Sequence, residues 1–284
     1  MMASHDLPRS KAPPPDDLGA AAADELRPPG FWKMLLEARA PWECVATVAG
    51  EHWLRSLPQG DGHPVIVYPG LTAPDLSTAV LRRFLRQRGY VACEWGQGLN
   101  FGPRPGVLEA CRDRLQEIAQ RHGEKVSLIG WSLGGLYARE LAKALPQHTR
   151  CVITLGSPFS GHPRATNAWR LYQWLSGQQG LHDEAFLAQL RLPPPVPTTS
   201  IYSRSDGIVA WQCSLNGDEP HTENIEIQSS HIGMGMNPAA LLAIADRLRQ
   251  DPAHWQRFDA RGARRWFFKS RPSATPSSSA AAAA

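Results

Sequence analysis

Short runs of apolar residues recur between residues 64 and 249, and amphipathic stretches separate them. The runs are rich in β-branched and aromatic residues and have the length of single strands. Strands that alternate with helices in this way predict a mostly parallel sheet with helices on both faces. We therefore expect an α/β fold of about six strands, within one domain over residues 31–260. The predicted strands are 64–68, 90–95, 125–129, 151–155, 199–203 and 225–228.

Helix signals lie between these runs. Ser77 is placed to cap a helix that ends near Gly89, and a second helix ends at Gly123. A third helix is predicted over 133–145. The last helix begins at Asn237-Pro238 and extends to about residue 249.

The segment Phe31–Leu57 precedes the first strand and reads as two amphipathic helices, with Pro41 in the first turn of the second. Its large apolar residues recur at helical spacing: Trp42, Val45, Ala49 and Trp53. We expect this stripe to pack against the core, and the alternative is that it forms one wall of an apolar substrate cleft.

Three further segments depart from the alternation. Residues 160–197 carry more large apolar residues than a plain crossover needs, which predicts a helical cap over the sheet. The alternative is an ordinary crossover helix with a proline-rich exit loop. Residues 1–30 and 270–284 are rich in Pro, Ala or Ser, and we expect both to be disordered.

Charge and cysteine content narrow the function classes. The chain has 284 residues, with 30 Lys and Arg against 26 Asp and Glu, and its basic residues are scattered. Scattered charge predicts a solvated surface and no nucleic-acid partner. The five cysteines lack CxxC spacing, which favours reduced thiols, although one disulfide stays open. We expect no metal and no cofactor, and the oligomeric state is left open.

No targeting or membrane signal is evident in the sequence. Residues 1–30 lack the apolar stretch of a secretory signal, and no apolar run approaches about 20 residues. We therefore expect no transmembrane segment and a cytoplasmic location, with export by another route left open.

The most informative motif is Gly-Trp-Ser-Leu-Gly, with Ser132 at its centre, between the strand 125–129 and the helix 133–145. A serine at a sharp strand-to-helix turn projects out of the sheet towards a substrate. Gly130 and Gly134 lack a Cβ and let the strand and the helix pack closely around that turn. We therefore expect Ser132 to be a nucleophile.

A serine nucleophile needs a histidine base and an acid that orients the base. Asp206 follows the fifth predicted strand and His231 follows the sixth, so both lie at the edge where parallel sheets bind ligands. The chain order Ser132, Asp206, His231 is the order expected for a nucleophile at such a turn. Asp218 and Glu219 compete for the acid role but follow no clear strand.

An oxyanion also needs N–H donors. The N–H of Leu133 follows the nucleophile and opens a helix, and the second donor should come from the loop after the first strand. Leu71 is the first choice there, Thr72 is the second, and Gly70 allows close approach of the backbone. The residues expected to contact substrate are Gly70, Thr72, Trp131, Phe159, Trp169, Trp174 and Ile208.

Together these motifs resemble the α/β-hydrolase superfamily, and within it the bacterial lipases and esterases with a six-stranded core and a helical lid. The likeness spans about residues 60–250 and implies a Ser132–Asp206–His231 triad that hydrolyses a small-molecule or lipid-like carboxylic ester. Tyr68-Pro69 stand where many lipases have a histidine, which favours small or medium acyl chains. The segments that carry the likeness are Tyr68-Pro69-Gly70-Leu71, Gly130-Trp131-Ser132-Leu133-Gly134-Gly135, Leu155-Gly156-Ser157-Pro158-Phe159, Ser205-Asp206-Gly207-Ile208-Val209 and Ser230-His231-Ile232-Gly233-Met234.

Two other functions stay open. The same triad would serve a thioesterase, an acyltransferase or a polyester depolymerase, because the nucleophile does not fix the bond or the acceptor. A non-catalytic binding protein on this fold is the other alternative, since fold alone does not fix function.

Overall fold

A computed structural model describes residues 28–160 and 184–268, with the backbone alone for residues 184–187. Its centre is a six-stranded sheet in the order β2-β1-β3-β4-β5-β6, with every neighbouring pair parallel. This confirms the predicted α/β class and the number of strands. The strands are β1 Pro64–Tyr68, β2 Val91–Glu94, β3 Val126–Trp131, β4 Thr149–Leu155, β5 Thr198–Tyr202 and β6 Thr222–Glu226.

Helices cover both faces of this sheet. Successive side chains of β1 point to opposite faces. Val65 and Val67 therefore join one apolar cluster, and Ile66 and Tyr68 join the other. Because both faces are covered, this strand is apolar throughout, and polar chemistry is left to the strand ends and loops. The helices are α1 Phe31–Leu35, α2 Ala40–Ala49, α3 Glu51–Arg55, α4 Ala79–Gln87, α5 Val107–His122, α6 Leu133–Ala144, α7 Glu184–Arg191 and α8 Pro238–Leu248.

The helix ends follow most of the predicted signals. Gly123 ends α5 with a φ of 66°, and the side chain of Asn237 accepts a hydrogen bond from the Ala239 N–H at the start of α8. Ser77 is not a cap. It lies inside a 3₁₀ turn before α4, and its hydroxyl donates to the Pro74 carbonyl oxygen at 2.7 Å.

The last strand was predicted at 225–228 but spans Thr222–Glu226. The hydrophobic pattern missed its start because this part of the strand is polar. The buried carboxylate of Glu223 accepts hydrogen bonds from Thr199 Oγ1 at 2.7 Å and from Arg247 Nη1 at 2.9 Å. A carboxylate that is paired in this way can occupy a buried strand position.

The N-terminal segment, residues 28–55, was predicted with the wrong face buried. It contains α1, α2 and α3, with a 3₁₀ turn between α1 and α2. Pro41 lies in the first turn of α2, as predicted. However, Trp42 is 74% exposed and Val45 is 55% exposed, whereas Glu37 and Thr47 are buried. Ala49 and Trp53 of the same predicted stripe are also exposed, and Trp53 stacks on the ring of Phe267.

Three other sequence predictions concern disulfide bonds, transmembrane segments, and the parts of the chain that the structure only partly covers. All five cysteines are described, and none forms a disulfide. Among the described helices, none is long and apolar enough to cross a membrane. Most of the predicted cap at 160–197 and of the predicted disordered ends lies outside the described residues. Within the cap segment, α7 is helical and leads into β5.

Candidate active site

Ser132 lies at a strained turn between β3 and α6. Its φ of 54° and ψ of −121° are unusual for a residue with a side chain. The strand and the helix pack closely at this turn. A Cβ on Gly130 would lie 2.3 Å from the Gly134 carbonyl oxygen, and a Cβ on Gly134 would lie 2.2 Å from the Tyr68 carbonyl oxygen. These glycines are therefore required sterically, as predicted. The turn leaves the side chain of Ser132 only partly buried at the carboxyl edge of the sheet.

Asp206 follows β5 and is held by its own loop. Its Oδ1 accepts hydrogen bonds from the N–H groups of Ile208 at 2.8 Å and Val209 at 2.7 Å. Its Oδ2 accepts a hydrogen bond from His231 Nδ1 at 2.7 Å. With Nδ1 occupied in this way, Nε2 of His231 is the nitrogen left to act as a base. The competing acid, Asp218, is exposed and pairs with Arg257 at 2.6 Å.

His231 follows β6 and is almost completely buried. Burial alone would lower its pKa. The charge of Asp206 and its hydrogen bond, together with the charge of Glu37, outweigh burial and hold the pKa of His231 above its ordinary value of 6.5. The imidazole is therefore a stronger base than a histidine in water.

Three contacts bring Ser132 and the Asp206–His231 pair to the same place. Trp131, directly before the serine, donates from Nε1 to the His231 carbonyl oxygen at 3.0 Å. The N–H of Ser132 donates to the carbonyl oxygen of Leu155 at 2.8 Å, and Gly156 follows with a φ of 54°. A Cβ on Gly156 would lie 3.0 Å from both Asp206 Oδ2 and His231 Nδ1. The loops after β3, β4, β5 and β6 thus meet at one edge of the sheet.

The loop after β1 lies beside this turn. A Cβ on Gly70 would lie 3.4 Å from the Cβ of Ser132, so this glycine lets the loop come close to the serine. The Thr72 N–H donates to the Asn100 carbonyl oxygen at 2.7 Å and is therefore already occupied. Leu71 remains the preferred donor of this loop. The N–H of Leu133 opens α6, where helix geometry provides no internal acceptor.

Apart from Gly70 and Thr72 in the loop after β1, the predicted substrate contacts fall into three groups. Trp131 and Phe159 are buried, and the guanidinium of Arg139 lies 3.8 Å from the Phe159 ring centroid. Phe159 therefore packs against Arg139. Ile208 is partly buried in the loop that carries Asp206. Trp169 and Trp174 lie outside the described residues.

A second row of Asp, His and Ser lies at the opposite edge of the sheet. Asp61 Oδ1 is 2.5 Å from His63 Nδ1, and His63 Nε2 is 2.8 Å from Ser127 Oγ. This row has the composition of a catalytic triad. However, His63 and Ser127 are completely buried, and Ser127 Oγ also contacts Cys151 Sγ at 3.3 Å. Because the histidine and the serine are both completely buried, we interpret this row as part of the core.

Sequence reasoning missed two acidic residues of the N-terminal segment. Glu37 and Glu43 contact the loops that carry Asp206 and His231, although they precede those loops by more than 160 residues. The only signal in the sequence was a carboxylate on either side of the α2 start, in a segment with many apolar residues. That signal does not reveal a partner so far along the chain. Among the described residues, no cluster of three or more His, Cys, Asp or Glu side chains could hold a metal ion.

The sequence matches the model of the alpha/beta hydrolase family over residues 60–276. Among solved structures, lipase B of Aspergillus fumigatus is 20% identical with a TM-score of 0.54, and the match covers 69% of this chain and 55% of that one. The lipase BlEst2 of Bacillus licheniformis is 16% identical with a TM-score of 0.51, covering 69% and 95%. These likenesses concern the fold.

One curated relative shares a shorter stretch. The lysosomal thioesterase PPT2 homolog of Drosophila melanogaster is 38% identical over 55 residues. The alignment covers 19% of this chain and 19% of that protein, so the chain spans about a fifth of the curated relative that it matches.

Proposed function

Because this chain belongs to the alpha/beta hydrolase family, we propose that it is a serine hydrolase that cleaves carboxylic esters through an acyl-enzyme on Ser132. The observation that carries the proposal is the strained turn at Ser132 beside the buried pair of Asp206 and His231. Strain of this kind persists where the surrounding structure requires it, and it clusters at active sites.

The first half of the reaction forms the acyl-enzyme. His231 Nε2 takes the hydroxyl proton of Ser132 while Oγ attacks the ester carbonyl carbon. The N–H groups of Leu71 and Leu133 bind the oxyanion of the tetrahedral intermediate, and such donors are each worth about 100- to 1000-fold in rate. The intermediate then collapses, and the leaving alcohol takes the proton from His231.

The second half returns the enzyme to its starting state. Water gives a proton to His231 Nε2 and attacks the acyl carbon. The carboxylic acid leaves as Ser132 Oγ takes the proton back. Throughout, Asp206 holds the imidazole in the correct tautomer and stabilises its charged form. We expect small or medium acyl chains as substrates.

A series of p-nitrophenyl esters of increasing chain length tests this proposal. Wild-type protein should release p-nitrophenolate, and a fluorophosphonate probe should label Ser132. The Ser132→Ala variant should do neither while keeping the wild-type circular dichroism spectrum. A variant that retained most of the activity would refute the assignment of the nucleophile.

A thioester is the second candidate substrate, and the thioesterase relative is the specific observation that favours it. The triad would perform the same two steps on an acyl-sulfur bond. Matched oxygen and sulfur esters with the same acyl group separate the two candidates. A kcat/KM at least tenfold higher for the thioester would replace the ester assignment.

A further inference from the structure

Glu37 contacts both loops that carry the Asp206–His231 pair, although it lies in the N-terminal segment. Its Oε1 accepts hydrogen bonds from the N–H groups of Gly207 at 2.8 Å and His231 at 2.9 Å. Its Oε2 accepts a hydrogen bond from the N–H of Ile232 at 2.9 Å. One buried carboxylate thus satisfies three backbone donors, one next to the acid and two at the base. Hydrogen bonds to a charged acceptor are about twice as strong as neutral ones.

Neighbouring side chains extend this attachment. Arg39 Nη2 donates to Ser205 Oγ at 2.7 Å, and Arg39 pairs with Glu43 at 3.3 Å. Glu43 in turn accepts hydrogen bonds from the Ser230 N–H at 2.6 Å and from Ser229 Oγ at 2.6 Å. The polar side chains of residues 37–43 therefore meet the acid loop, residues 203–209, and the base loop, residues 228–237.

The backbone packing at this contact is equally close. A Cβ on Gly207 would lie 2.3 Å from the Lys33 carbonyl oxygen, and one on Gly233 would lie 2.3 Å from Glu43 Oε2. Glycine at these two positions therefore allows the N-terminal segment to pack closely against both loops. That segment precedes residues 60–276, the part of the chain that matches the family model.

We propose that Glu37 is a positioning residue of the hydrolytic site, which fixes the acid loop to the base loop and so holds His231 in register with Ser132. The inference rests on the proposed function. Within the described part of the chain, the hydrogen bonds of Glu37 go to backbone N–H groups of the two loops, so it acts through those loops.

The charge of Glu37 has a second effect, on the basicity of His231. Among the described residues, the charged groups that face His231 are Asp206 from the acid loop and Glu37 from the N-terminal segment, and both raise its pKa. Arg39 and Glu43 pair with each other nearby. Removing the Glu37 charge should therefore lower the pKa of His231 and move the acidic limb of the activity profile to lower pH.

The test is the pH profile of ester hydrolysis by the full chain with Glu37→Gln. The glutamine keeps the shape of the side chain but turns its NH₂ group towards the Ile232 N–H and removes the charge. We expect kcat to fall about 10- to 100-fold, as for the loss of one hydrogen bond to a charged group. KM should change little, and the acidic limb should shift to lower pH. The matched control is Glu51→Gln in α3, because the carboxylate of Glu51 pairs with Arg55 and contacts neither loop.

Glu37→Asp separates the effect of the charge from the effect of side-chain length. It also replaces the glutamine variant in the test if that variant does not fold. Its carboxylate is one methylene shorter, so kcat should fall while the acidic limb stays near its wild-type position. Unchanged kcat and an unchanged limb in either folded variant would overturn the role of Glu37. Activity that survives Ser132→Ala would instead overturn the proposed function, so the two failures are distinguishable.

Discussion

The sheet carries an aspartate–histidine pair at each of its two edges, and each pair has a serine nearby. Asp61, His63 and Ser127 form a complete hydrogen-bonded row at the amino edge, whereas Asp206 and His231 lie beside Ser132 at the carboxyl edge. Ser127 lies within β3 and is completely buried. Ser132, five residues later on the chain, has a strained backbone and a partly accessible side chain.

The pKa values of the two histidines are also shifted in opposite directions. Burial lowers the pKa of His63, and Arg150 adds to that effect, against the raising influence of Asp61. The pKa of His231 is raised, because Asp206 and Glu37 outweigh its burial. The comparison teaches that residue types and hydrogen bonds alone do not define a nucleophile. Backbone strain, access and the balance of charge around the base distinguish the candidate site from the core.

The largest expected effect comes from removing one hydroxyl at each edge. Ser132→Ala should lower kcat by about 10⁴- to 10⁶-fold, because the attacking atom is lost. Ser127→Ala should leave kcat/KM within about twofold and destabilise the fold by roughly 1–3 kcal/mol, because it leaves His63 Nε2 without its partner. Ester hydrolysis and urea unfolding measure the two quantities. Loss of activity in the Ser127 variant with Ser132 intact would reverse the assignment of the two edges.

The two acids give the next contrast. Asp206→Asn should lower kcat about 10³- to 10⁴-fold, because the amide cannot hold the imidazole in the required tautomer. Asp61→Asn should leave kcat close to wild type. Single-turnover rates of ester hydrolysis, measured at one pH for both variants, give the sharpest comparison. A similar loss of activity in both variants would mean that the edges are not functionally distinct.

Two glycines test how tightly the carboxyl edge is packed. Gly156 and Gly98 both have positive φ, but only at Gly156 would a Cβ meet the Asp206–His231 contact. An alanine at either position carries a similar backbone strain of roughly 1–2 kcal/mol. Gly156→Ala should in addition lower kcat about 10- to 100-fold, because small displacements of catalytic groups are costly. Equal kcat values in the two variants would show that the catalytic pair tolerates displacement.

The smallest effect concerns stability at the amino edge. The folded pKa of His63 lies below its ordinary value of 6.5, so below that pH the unfolded chain binds more protons than the folded one. The contribution of His63 to the free energy of unfolding is therefore complete above about pH 6.5 and is lost as the pH falls. Urea unfolding at pH 7.5 and 5.5 should show a smaller pH dependence for His63→Gln than for wild type. An equal dependence would contradict a depressed pKa.

The strands, turns and loops of the carboxyl edge could be predicted because each signal there is local. The strand, the two glycines and the helix around Ser132 occupy consecutive residues, and the residues after β5 and β6 contain Asp206 and His231. Parallel strands bring such loops to one edge whatever their distance along the chain. Strands such as β1 were predicted for the same reason, since a strand covered on both faces can be apolar throughout.

The N-terminal segment could not be predicted in the same way. Its apolar stripe at Trp42 and Val45 faces outwards, whereas Glu37 and Thr47 are buried. A hydrophobic pattern assumes that the buried partner is apolar, and here the partner is loop backbone with N–H groups to satisfy. The start of β6 was missed for a related reason, because the buried carboxylate of Glu223 has its partners on other elements.

The hydrogen bond between Glu37 and the His231 N–H spans 194 residues of chain. Contacts of such high sequence separation carry a loop-closure cost that slows their formation relative to local contacts. On the ribosome, Glu37 is synthesised long before the loop that it will hold. The sheet can therefore assemble before its hydrolytic edge is fixed. On the proposed role of Glu37, a chain whose Ser132 turn has already formed gains its full activity only when the N-terminal segment docks.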